Sequence, residues 1–291
     1  MRHLLITVAA LAFPTLALAA TGCGEDITKS AEVAMTSQTS EVVQVAQAEY
    51  SSAKQYSAAD PMPVAEYAAL LKRRISQGEA GLNLFDYSGA HESGELETIT
   101  AYTAYLANQN PDVMSQADQL AFWANLYNAL TLKVVLENYP VSSIRKIKSG
   151  AFSQGPWKRD AVVVNGETLS LDNIEHGIMR KRYPNPAMVH YMVNCASIGC
   201  PNLVDKPWVG ETLEADRVQA ARDFINSPRG VDIGSRGLQV SSIYNWFKAD
   251  FGGSKSKTLD HFREFAGPEL LKALDEGAQI NGFDYDWSLN E

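Results

Sequence analysis

The sequence lacks an excess of positive charge, a second long apolar run and more than a handful of cysteines, and each shortage narrows what it can be. Its formal net charge of −9 argues against nucleic acid or an anionic membrane surface as the main partner. Beyond the first twenty residues, the most apolar stretch is 119–138, and Asn125, Asn128 and Lys133 interrupt it. It therefore reads as the buried helix of a soluble protein, and no integral membrane span is expected. Of three cysteines, Cys195 and Cys200 are the two expected to stay in the folded domain. The four residues between them fit neither a thioredoxin-type pair nor a common structural zinc pattern. No metal or cofactor is expected.

What is present begins with an address. Residues 1–20 combine a basic start, an apolar core and a small-residue cleavage region, the pattern of a signal peptide, which implies an exported protein, periplasmic or envelope-attached. Cys23, in Ala20-Thr-Gly-Cys23, admits a lipid anchor. Residues 21–60 are rich in Ser, Thr, Ala, Gln and Glu and read as a flexible tether.

Residues 61–291 show no internal repeat and no clean boundary, so they are expected to form a single globular domain. Val64, Tyr67, Leu70, Leu71 and Ile75 recur at helical spacing up to Gly78, and Ile99, Tyr102, Tyr105 and Leu106 suggest a second helix. The run 118–136 is apolar around nearly its whole circumference and reads as the central helix. Asn165-Gly166 marks a hairpin turn between 162–164 and 167–170. Further strands are expected at 188–194, 237–241 and 281–285, with helices near 212–226, 242–250, 256–266 and 268–276. The order predicts a helix-rich α+β domain with a small, mostly antiparallel sheet.

The chemistry-bearing residues fall in two segments. His190-Tyr-Met-Val-Asn194-Cys195-Ala-Ser197-Ile-Gly-Cys200-Pro201 ends an apolar run in a bend of small residues, whose backbone N–H groups would suit an oxyanion beside a thiol nucleophile. In an oxidising compartment the same two thiols can instead bond to each other. Leu169-Ser-Leu-Asp172-Asn-Ile-Glu175-His176 starts a helix capped by Ser170, on which Asp172, His176 and Arg180 share a face. Strand alternation puts His190 on the face opposite Cys195, which leaves His176 as the better base, with Glu175 or Asp172 orienting it. Glu175, nearer the apolar side, needs a partner such as Arg180, the chain near Lys158 or a central-helix amide. Asn125 and Asn128, three residues apart, either tie down a neighbouring loop or support a substrate.

Ala121-Phe-Trp-Ala-Asn-Leu-Tyr-Asn-Ala-Leu-Thr131, Leu169 through Arg180, His190 through Pro201 and Tyr285-Asp-Trp-Ser-Leu-Asn290 together resemble the domain of unknown function family 547, over about residues 64–291. The resemblance implies a widespread domain, often exported in bacteria. A fold of the papain or transglutaminase kind would be an analogy, since here the histidine precedes the cysteine and the central helix carries none. In the tail, Trp287 and Leu289 are expected to anchor the chain by burial, with Asp286 bonded to a loop. The expectation for function is thus a thiol-dependent hydrolase or acyl transferase acting on an amide or peptide-like bond. Cys195 or Cys200 would be its nucleophile, His176 and Glu175 would assist, and Asn125, Asn128, Asp172, Arg180, His190, Asn194 and Ser197 would bind substrate. The alternative is a non-catalytic module of the cell envelope that binds a peptide or a small thiol.

Overall fold

Residues 61–148, 150 and 154–291 are described in the computed structural model; the expected signal peptide, tether and Cys23 anchor lie outside the described residues. Apolar residues at helical spacing build the first half. Helices α1 (Met62–Arg74), α2 (Tyr87–Glu92) and α3 (Leu96–Ala107) surround α4 (Gln116–Glu137), which starts where the Ser115 hydroxyl accepts the Asp118 N–H. From Leu120 to Leu136 almost every α4 side chain is buried, so this helix is the spine of the first core. Tyr67 of α1 stacks on Tyr102 of α3 with ring centroids 4.0 Å apart, a pair worth about 1 kcal/mol beyond its buried area.

Among the described residues, three small sheets take the place of the single one expected. Strands β1 (Ile75–Gln77) and β2 (Asn83–Phe85) pair antiparallel, as do β3 (Asp160–Val164) and β4 (Glu167–Ser170). The β3–β4 turn takes Asn165 and Gly166 to φ of 51° and 78°, the left-handed values that the Asn-Gly pair tolerates. In the third sheet β6 (Gly237–Ser241) is central, antiparallel to β5 (Val231–Gly234) and parallel to β7 (Ile280–Asp284). Helices α5 (Leu213–Ile225), α6 (Ile243–Trp246), α7 (Lys255–Phe265) and α8 (Pro268–Asp275) complete the fold, and α5, α7 and α8 share a second core with this sheet. The molecule is a helix-rich α+β domain, as the element order predicts.

Two expectations near the chemistry need correction. Residues 186–191 form a 3-10 helix, Pro186–Tyr191, not the start of a strand. The run is apolar on every side because it is wedged between the two cores: Ala187, Met188 and Tyr191 pack into the second, Val189, Met192 and Val193 into the first. A segment buried all round has no period to read. The helix after Ser170 is a π-helix, Asn173–Met179, whose extra residue per turn alters the α-helical alignment from which a shared face was inferred.

Candidate functional site

The loop that carries the sulfurs is fixed at both ends by side-chain amides. Asn128 donates from Nδ2 to the Met192 carbonyl at 2.9 Å and accepts the Asn194 N–H at 2.9 Å. One turn earlier Asn125 makes the same pair of hydrogen bonds, donating to the Trp208 carbonyl and accepting its N–H, each at 2.8 Å, and Trp208 Nε1 donates to the same Met192 carbonyl. Both amides expected as binding residues are therefore spent on backbone. Asn194, also expected to bind, accepts the Ala196 N–H at 2.8 Å and donates to the Pro201 carbonyl at 2.7 Å, closing the loop on itself. Ala196 sits at φ 56°, a conformation costly for a residue with a Cβ, and is fully buried.

Inside this frame Cys195 and Cys200 are joined as a disulfide. Of the two outcomes open to them, free thiol or bond, the structure holds the bond. The oxyanion expectation loses most of its donors too, because five of the loop's N–H groups, those of Cys195, Ala196, Ile198, Gly199 and Cys200, are already engaged. Cys195 N–H points at Cys200 Sγ (2.9 Å), Cys200 N–H at the Ser197 carbonyl (3.0 Å), and Ile198 and Gly199 N–H at the carbonyls of Ser288 and Asp286 (2.9 and 2.8 Å). The last two bonds come from the C-terminal strap, which approaches so closely that a Cβ on Gly199 would lie 2.9 Å from Tyr285 Cγ and from the Asp286 nitrogen. The strap brings the Tyr285 hydroxyl to 3.0 Å from each sulfur and 3.0 Å from Ser197 Oγ, itself 3.1 Å from Cys195 Sγ. Burial raises the Tyr285 pKa, so the hydroxyl keeps its proton. Below the loop, Arg229 donates to the carbonyls of Ile198 and Cys200 and to Asn202 Oδ1; burial lowers its pKa to about 10, still charged at neutral pH.

Beside the disulfide, five polar groups close into a ring. Asp250 accepts from His190 Nε2 at 2.7 Å and from Arg180 Nε at 2.6 Å; Arg180 Nη1 reaches His176 Nδ1 at 3.1 Å. Glu175 completes the circuit, its carboxylate 3.7 Å from His176 Nδ1 and 3.8 Å from His190 Nδ1. Burial opposes the charge on Asp250, but the hydrogen bonds from His190 and Arg180 outweigh it and hold the pKa down to about 2. Phe247 fills the middle of the ring, with the His190 ring stacked at 4.4 Å and the Arg180 guanidinium 4.6 Å from its centroid.

This wiring revises several roles. Arg180 can only donate, so His176 Nδ1 accepts and the neutral ring carries its proton on Nε2. His176 is then a donor rather than the expected base. The partner of Arg180 is Asp250, not Glu175, and Glu175 meets the buried Tyr127 hydroxyl instead. Asp172 forms no ion pair with His176 among the described residues.

Part of this arrangement borders a cleft of about 470 Å³, with Arg180, Asp250 and the asparagine clamps behind its lining. Asp172, Glu175, His176, His190 and both cysteines line it, together with Trp157, Trp246, Tyr285 and Trp287. The three indoles and the phenol form a continuous wall, with centroid distances of 5.7 Å for Trp157–Trp287, 5.6 Å for Trp246–Trp287 and 4.9 Å for Trp246–Tyr285. Trp287 thus gives the cleft a wall where simple anchoring was expected; Leu289 is the buried anchor, and Asp286 accepts the Ser288 N–H. Sequence reasoning missed Asp250, Tyr285, Trp157, Trp246 and Phe247 as site residues. The aromatic tail motif was a usable signal for Tyr285; Asp250 offered none.

Residues 111–225 match the model of a family described as a protein of unknown function, DUF547. The matched segment holds the asparagine clamps, Glu175, His176 and the disulfide, while Asp250 and the tail lie beyond it. No curated protein and no solved structure matches.

Proposed function

For this member of the domain of unknown function 547 family, we propose that the cleft is a binding site for a peptide or small molecule bearing a cationic or aromatic group. The observation that carries this reading is the wall of Trp157, Trp246, Trp287 and Tyr285 in one cleft with the carboxylates of Glu175 and Asp172. Aromatic faces attract cations, and buried carboxylates add to that attraction. The protein's own Arg145 already uses the wall in this way, its guanidinium 5.1 Å from the Trp287 ring centroid. A disulfide in the cleft supports an exported protein of the cell envelope, because such bonds persist in oxidising compartments. Titration of lysine- and arginine-containing peptides against intrinsic tryptophan fluorescence tests the reading. Saturable binding is expected, weakened about tenfold by Trp246→Ala, whose side chain is exposed enough to be removed without unfolding. Binding that ignores both Trp246→Ala and Glu175→Gln would refute it.

A second reading, a thiol-dependent hydrolase or acyl transferase, belongs to the reduced protein. It is favoured by one observation: Cys195 is half-buried on the cleft and its sulfur meets two hydroxyls. Cleavage of amide substrates by the reduced chain, abolished in Cys195→Ala, would support it; equal rates in the two would end it.

A further inference from the structure

We propose that the Cys195–Cys200 disulfide is a reaction centre for thiol–disulfide exchange with a thiol-bearing ligand in the cleft, Cys195 being the sulfur attacked and Cys200 the sulfur that leaves. The inference rests on the cleft being a ligand site. The four-residue spacing argues against a thioredoxin-type pair, whose short helical turn organises its own chemistry. Here tertiary contacts supply that organisation.

The two sulfurs differ in access and in surroundings. Both border the cleft, but Cys195 is half-buried whereas Cys200 is only 4% exposed, so an incoming thiolate meets Cys195 Sγ first. Exchange runs faster when the departing sulfur is stabilised as a thiolate. Cys200 Sγ has that stabilisation in place: the Cys195 N–H lies 2.9 Å away, the Tyr285 O–H 3.0 Å away, and the Arg229 cation donates to the Cys200 carbonyl. In an intact disulfide a backbone N–H against sulfur is a weak interaction, whereas against a thiolate it becomes a charge-assisted bond.

The step balances without an outside oxidant. A ligand thiolate attacks Cys195 Sγ; a new S–S bond forms between them, the Cys195–Cys200 bond breaks, and its electron pair stays on Cys200. The reverse attack by Cys200 restores the starting disulfide and frees the ligand. Attack on the mixed disulfide by a second thiol instead releases Cys195, leaving two ligand thiols oxidised to a disulfide and the protein pair reduced to thiols. The protons lost by the two ligand thiols equal those gained by the two cysteines.

The test uses the oxidised full chain and glutathione as the thiol probe. After brief exposure and quenching with an alkylating agent, peptide mass spectrometry should find the glutathione adduct on Cys195 and the alkyl group on Cys200. Adducts divided evenly between the sulfurs, or found mainly on Cys200, would overturn the assignment. Tyr285→Phe should slow reduction by on the order of tenfold, because it removes one hydrogen bond to the developing thiolate; an unchanged rate would overturn the role given to Tyr285. The Cys200→Ser variant, oxidised with glutathione disulfide, should hold a stable adduct at Cys195, and the wild-type trapping result stands whether or not that variant folds. Peptide binding by tryptophan fluorescence is read in parallel with a probe lacking thiol. Exchange lost with peptide binding intact sinks this inference alone; peptide binding lost sinks the reading beneath it.

Discussion

Replacing Asn128 by Ala should cost more than its few atoms suggest, because the amide holds one buried backbone N–H by itself and shares a buried carbonyl with a second donor. The change orphans the Asn194 N–H outright; the Met192 carbonyl retains the Trp208 Nε1 donor at 3.2 Å. An unsatisfied buried group costs about 1–3 kcal/mol, and the lost side chain leaves a small void, so ~2–4 kcal/mol is expected. Asn125→Ala should cost a similar amount, since it strands the Trp208 N–H and carbonyl. The two losses should not add. Without Asn125 the Trp208 loop loosens, and in the double variant the Met192 carbonyl then loses its remaining donor. A coupling of about 0.5–2 kcal/mol beyond the sum follows. Urea unfolding of the four proteins, with the disulfide kept oxidised, measures the cycle. Additivity within about 0.3 kcal/mol would show that the clamps act separately. A cost under about 1 kcal/mol for Asn128→Ala would show that water replaces the amide, and the reasoning about the loop would fail.

Two acid windows should be separable by their titrating groups. His261 is half-buried against Tyr191, and this desolvation first, with the nearby His190 second, lowers its pKa to about 4 from 6.5. A base with a depressed folded pKa stabilises the fold above its unfolded value, so stability is lost as pH falls from 6.5 to about 4, by ~2 kcal/mol once screening is allowed for. Thermal melts across that range should show the slope, and His261→Gln should flatten it. Asp250, held at about 2 against an ordinary 3.8, contributes above pH 4, and its share is lost as pH falls through about 2. That share is about 1 kcal/mol after screening, and the step between pH 4 and 2 should vanish in Asp250→Asn. Serine at both cysteines should lower stability by about 2 kcal/mol through the short loop they close; an unchanged melting temperature would mean that Asn194 and Arg229 already restrain the loop in the unfolded chain.

Much of the fold was legible because most of its elements are amphipathic or capped. α1, α3 and α4 follow their apolar spacing, Ser115 and Ser170 sit where a chain turns into a helix, and Asn165-Gly166 makes the hairpin. Legibility failed where burial comes from two sides or where a helix departs from 3.6 residues per turn. The segment 188–194 reads as a strand because all but His190 and Asn194 are apolar or aromatic, and the π-helix hides its geometry in an ordinary-looking sequence. The candidate site was legible in its parts rather than its wiring. Glu175, His176, His190 and the cysteines are gathered in one cleft, yet Asp250 arrives from sixty residues beyond His190 and Tyr285 from eighty-five beyond Cys200. No local spacing encodes either.

The wiring bears on what the cleft can hold. Glu175 and Asp250 bring two negative charges to the ring around Phe247, and Arg180 brings one positive charge. Two carboxylates against one guanidinium leave the ring one negative charge in excess, and the aromatic residues of the cleft carry no formal charge to offset it. Arg180 cannot leave Asp250 to compensate Glu175 without breaking the bond at 2.6 Å and uncovering the carboxylate that His190 also needs. The missing positive charge can come from Lys158, which lines the same cleft, from a histidine proton or from a ligand. A cationic ligand meets that demand at Glu175 without disturbing the ring. For this reason Glu175→Gln should weaken cationic peptides while leaving neutral aromatic ones unchanged, a selectivity that competition between the two classes for the same cleft would read directly.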